Sequence, residues 1–103
     1  MGKNRDRESL ITLIVNTVVH EIVVKHTNKP ESKNFLTSEV VEYRSKSEKV
    51  AKQHNWNDQD KKDIRSKALK KIKERLASKY PDVQFTEKEV SDALDAGIKV
   101  TLR

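Results

Sequence analysis

The chain has 103 residues, 34% of them hydrophobic and 37% charged, with a formal charge of +6. That is one domain's worth, with a lean core of helix packed on helix and no room for two independent cores. With no cysteine, disulfides, thiolate metal sites and cysteine nucleophiles are excluded.

Residues 1–6 read as a disordered N-terminus and residues 7–103 as a single helical domain. Asp6 suits a helix N-cap, with Glu8 and Ser9 in the first turn. Apolar pairs then recur about every four residues at Leu10-Ile11, Ile14-Val15, Val18-Val19 and Ile22-Val23. That recurrence fits one wide helical face and not the alternation of a strand. Propensity argues the other way, because ten of the fifteen residues from Leu10 to Val24 are Val, Ile or Thr. The period outranks it, since burying the stripe outweighs a penalty of about 0.5 kcal/mol per residue. The pattern predicts a helix over 7–26, ending before Thr27-Asn28-Lys29-Pro30.

The same run is shorter than the roughly 18–20 residues that span a bilayer, and it holds Asn16, His20 and Glu21. Charges of both signs precede it and no small-residue cleavage site comes after it. Neither integral membrane insertion nor a signal peptide is expected, and a soluble cytoplasmic protein is the default.

Lys29 to Asn34 reads as a loop, with Pro30 barring a continuous helix. Thr37 then suits an N-cap, with Leu36 and Val41 at the positions of a hydrophobic staple. The spacing predicts a helix over 38–54, with a thin apolar face through Val40, Tyr43, Ser47, Val50 and Ala51. A third helix over 58–79 starts at Asn57 or Asp58 and buries Ile64, Ala68, Ile72, Leu76 and Tyr80, with Leu69 alongside. Trp56 is expected to cover the end of the core. Tyr80-Pro81-Asp82 stops this helix. Thr86 and Glu89 then form a capping box, with Phe85 stapled onto Val90, for a fourth helix over 87–98. Its buried residues fall at Val90, Ala93, Leu94, Gly97 and Ile98, and Gly97 ends it or allows close packing. The fold class is therefore all-α, a small bundle of about four helices with a C-terminal helical hairpin.

Charge is concentrated in residues 61–79, where nine cations face only Asp63 and Glu74. That segment holds +7 and leaves about −1 for the remainder. One reading lays this helix on phosphates, through Lys62, Arg65, Lys67, Lys70, Lys71, Lys73 and Arg75, with steep salt dependence. The other is a solvated face, because Lys and Arg are good helix formers. Lys outnumbers Arg and no aromatic residues interleave, which speaks against base readout. The Asn55–Asp58 junction resembles a helix-turn-helix turn only weakly, having no Gly.

No catalytic, cofactor or metal site is expected. His20-Glu21 lacks a second His four residues on, and His26 and His54 do not complete a ligand set. Nucleophile elbows and phosphate-cradling glycine loops are both missing. The stripe of helix 1 is wider than the faces available to cover it. Core, membrane-surface contact and a homo-oligomer interface through Ile11, Ile14, Val15, Val18, Val19 and Ile22 all remain open for it.

Lys49-Val50-Ala51-Lys52-Gln53-His54 and Asn55-Trp56-Asn57 lead into the charged start Asp58-Gln59-Asp60-Lys61-Lys62. The pattern continues through Ala68 to Leu76 and Val83 to Leu94. Over about residues 45–99 this resembles the soluble region of LLH-type phage holins. In that family these helices come after a membrane span, which Leu10–Val24 is too short and polar to supply. The resemblance implies a phage- or prophage-derived helical module, not membrane permeabilisation. Protein–protein assembly, with a homo-oligomer as partner state, is the leading functional expectation. Nucleic-acid binding through 61–79 is the alternative.

Overall fold

The apolar run is helical, as its four-residue period requires. A computed structural model describes residues 2–26 and 30–102, with four helices among them: α1 Lys3–His26, α2 Pro30–Ala51, α3 Asp58–Lys79 and α4 Glu87–Thr101. The described residues contain no strand. The protein is a small all-α bundle.

α1 is the hub. It packs against each of the other three helices, α3 packs on α4, and α2 touches α4 lightly. Arg7 reaches Asp60 and Arg75 reaches Asn16, so α1 and α3 run parallel. The pairs Asp6–His54 and Glu21–Arg44 set α2 antiparallel to α1, and Arg65–Asp95 with Lys73–Glu87 sets α4 antiparallel to α3. The buried stripes of α1 and α3 (Ile64, Ala68, Ile72, Leu76) both advance in steps of four.

Four boundaries differ from the sequence reading. α1 starts at Lys3 and not at residue 7, because its first turn has distant partners. Lys3 Nζ lies 2.7 Å from Asp60 and Arg7 donates to Asp60 at 2.8 Å. Asp6 is not an N-cap; it is helical and its carboxylate meets His54. The helix therefore has 24 residues and, by length and composition, is long and apolar enough to cross a membrane. In this fold half of that apolar window is buried inside the chain.

α2 starts at Pro30 and ends at Ala51. Proline is well placed at the first position of a helix, where its missing N–H costs no bond. Thr37 consequently lies inside the helix, and Val41 is 64% exposed, so no staple forms. Leu36 instead anchors the first turns in the core. Residues 27–29, where the sequence places a helix stop, lie outside the described residues.

α4 runs past Gly97 to Thr101. A Cβ on Gly97 would meet only Val18 Cγ2, at 3.7 Å, an ordinary contact. Close approach does not require this glycine. Gly97→Ala is expected to stabilise the domain by about 0.5–1 kcal/mol, read as a higher urea midpoint.

The start of α3 is a capping box: Asn57 Oδ1 accepts from Asp60 N at 2.8 Å, and Asp60 accepts from Asn57 N at 3.2 Å. The expected box at α4 is half made. Thr86 Oγ1 accepts from Glu89 N at 3.0 Å, but the Glu89 carboxylate turns to His26 instead. Trp56 packs on the core end, as expected, and its Nε1 donates to Ala51 O at 2.8 Å. That bond satisfies a carbonyl in the last turn of α2, a group with no partner inside its own helix.

Candidate interaction site

Although α2 and α3 both pack on α1, they do not pack on each other. One side of α1 is left open between them. Its floor is the row Glu8, Thr12, Asn16 and His20, spaced by four, with Ser9 and half-buried Leu13 beside it. Two open-sided hollows make up this valley, and Thr12 lines both. Toward α2 the hollow is mostly aliphatic, closed by Lys46, Lys49 and Val50. Toward α3 it is more polar, with Val15, Lys71, Glu74, Arg75, Ser78 and Lys79.

The α3 wall is built by Lys67, Lys71, Arg75 and Lys79, again four apart, so it runs alongside the floor. Lys67 and Lys71 lie 3.5 and 4.0 Å from the Glu8 carboxylate. Arg75 donates to Asn16 Oδ1. These contacts set the register of the two parallel helices.

At the far end His20 stacks at a tilt on Tyr43, with ring centroids 5.6 Å apart. Burial pushes the His20 pKa below its ordinary 6.5; Glu39 opposes the shift, while Arg75 and Lys79 add to it. The imidazole is therefore neutral at pH 7, and its buried Nδ1 has no hydrogen-bond partner among the described residues. The Glu39 carboxylate, hydrogen-bonded to the Tyr43 hydroxyl, pushes that phenol up.

The seven cations read as a phosphate surface divide among three sides of α3. Lys67, Lys71 and Arg75 border the valley. Arg65 turns to α4, where it meets Asp95 at 2.6 Å and Ser91 at 3.0 Å, and Lys73 meets Glu87 at 2.5 Å. Lys62 and Lys70 are exposed on the outer side, with no ion pair among the described residues. One continuous phosphate-tracking face does not form.

The residues read as an oligomer interface are also placed differently. Ile11, Ile14, Val15, Val18, Val19 and Ile22 are 0–1% exposed within the single chain. The sequence reading weighs helix 1 against one partner face at a time, whereas three helices share in covering it.

Among the described residues no group of three or more His, Asp or Glu side chains could hold a metal ion. His54 and His26 pair instead with Asp6 and Glu89, and so clasp the two ends of α1. The valley has five lining cations, two lining carboxylates and an aliphatic stretch of floor. Such a surface suits binding. The sequence reading misses it, although polar residues at 8, 12, 16 and 20 interrupt the apolar stripe in steps of four. Comparison with protein-family models, curated proteins and solved structures gives no match.

Proposed function

We propose that this is a non-enzymatic helical association domain that receives a protein partner in the valley over α1. The observation that carries the reading is the uncovered α1 face, walled by two helices that never meet. Concave surfaces that combine an aliphatic stretch with polar and charged borders are what protein recognition uses. Self-association through helix 1 loses its support, because that stripe is interior. Nucleic-acid binding through residues 61–79 is also weakened, since the seven cations divide among three sides of α3 and offer no single face to a duplex. The pattern shared with phage holin soluble regions supports an origin as a phage- or prophage-derived assembly module.

A photo-reactive residue in place of Thr12 tests this. It is expected to give one discrete protein adduct in the native cell, absent when the probe replaces Asp92 on the outer side of α4. The same adducts from both positions would sink the valley as the working surface. A generic duplex DNA is expected not to shift in a gel at low salt; a shift would restore the nucleic-acid reading.

A further inference from the structure

From the same surface we infer the class of partner: an acidic, amphipathic α-helix of another protein, lying along α1 between α2 and α3. This rests on the valley being the working surface. Four observations point to it.

The first is shape. The two hollows measure about 660 and 330 Å³, the size of small-molecule sites, but both are open along their length. A small ligand needs most of its surface enclosed. A rod laid between two walls does not. From Glu8 to His20 the floor runs twelve residues, about 18 Å at the helical rise, which matches three to four turns of a partner helix.

The second is spacing. On the α2 wall Phe35, Glu39, Glu42, Lys46 and Lys49 recur at 4, 3, 4 and 3 residues. That spacing keeps all five on one face of α2, the face that carries the Lys46 and Lys49 border of the valley. Phe35 on this face is 64% exposed. Leu13 and Val50 supply the aliphatic floor lower down.

The third is charge. Lys46, Lys49, Lys71, Arg75 and Lys79 line the hollows, against only Glu8 and Glu74. Glu39 and Glu42 offset this toward Phe35, so the partner's flanks must be acidic along the α3 wall and beside Lys46 and Lys49. Some of these cations hold partners now, such as Lys46 with Glu42 at 3.1 Å and Lys71 with Glu8 at 4.0 Å. Exposed pairs of this kind are weak and exchange readily for better ones.

The fourth is what the valley lacks for nucleic acid. A duplex rides on a broad basic face, whereas here the cations sit on two rims with the Glu8, Thr12, Asn16 and His20 row between them. Single strands need stacking platforms along their path. The aromatic residues on this side, Phe35 and Tyr43, stand toward one end.

The test uses a designed peptide of about 16 residues, long enough for the floor. It carries a leucine stripe flanked by glutamates, and its twin has lysines in their place. Binding is followed by calorimetry and by amide shifts in the labelled full chain. The acidic peptide is expected to bind at least about tenfold more tightly than its twin, because like charges across an interface are strongly disfavoured. The largest shifts should fall at Ser9, Thr12 and Leu13. The double change Lys49→Glu with Lys71→Glu should reverse the preference while leaving the helical circular-dichroism spectrum unchanged.

If the lysine twin binds equally well with shifts at Thr12 and Leu13, the acidic class is overturned while the valley stands. Shifts confined to other surfaces overturn both. No binding by the acidic peptide overturns the class, and the photo-reactive probe at Thr12 still decides the valley. Displacement of the peptide by duplex DNA makes the occupant a nucleic acid. Dimers that the peptide dissolves make it a second copy. Either outcome overturns the inference.

Discussion

Replacing Ile11 with alanine is expected to destabilise the domain by about 2–5 kcal/mol. Domains of this size hold only about 5–15 kcal/mol in total. Tm should therefore fall by roughly 10 °C or more in a thermal unfolding scan. Ile11 is 0% exposed in the helix that meets all three others, so its removal leaves a cavity that no single neighbour can close. The direction is informative. In an isolated helix the same change would raise helicity, because alanine exceeds isoleucine by about 0.4 kcal/mol in propensity. A Tm that stays level or rises would mean that α1 is held by its own backbone and not by packing. Thr12→Ala on the valley floor is the control, expected to stay within about 0.5 kcal/mol.

Two carboxylates are expected to give opposite pH signatures. Asp60 is buried at the start of α3, where a hydrogen bond from Lys3 holds its pKa below the ordinary 3.8. Burial opposes the shift, and the Asn57 backbone and the charges of Lys3 and Arg7 reinforce it. Folding thus favours the ionised form. Its contribution is complete above the ordinary carboxylate pKa and is lost as pH falls through the lower folded value. Asp60→Asn should therefore lower Tm strongly at pH 7, with the gap to wild type closing under acid.

Glu21 behaves in the opposite way. Burial raises its pKa above 4.5, and the charge and hydrogen bond of Arg44 and the charge of Lys25 recover only part of the shift. Folding favours the protonated form, so this contribution is present below the ordinary pKa and disappears as pH rises through the folded one. Glu21→Gln should raise Tm at pH 7, again with the gap closing under acid. Unfolding scans of both variants from pH 3 to 7 decide the matter. Gaps of the same sign would show that burial and pairing are not the opposed forces described.

How much of the fold is legible in the sequence depends on how far each signal reaches. The start of α3 at Asn57 and of α4 at Thr86 rests on hydrogen bonds three residues long. Those boundaries can be read locally. The start of α1 depends on Asp60, more than fifty residues away, and no local pattern carries that. α2 is misread because Pro30 bars a helix in mid-course but opens one at its first position, and burial of Leu36 outweighs the local cap at Thr37. The stripe of helix 1 is legible as a helical face, but its width makes sense only against the three partners that cover it. The valley is hardest to foresee. It exists because two helices fail to meet, and non-contact leaves no mark in either helix's own pattern.

The central place of α1 has a consequence in time. Of the four helices it is the first to leave the ribosome, and one of its covers, α4, is the last. At about 5–20 residues per second of synthesis, the apolar stripe waits several seconds, part-covered, for Val90 and Leu94 to arrive. For that interval the nascent chain shows the cell a long, greasy helix, and the speed of elongation sets how long.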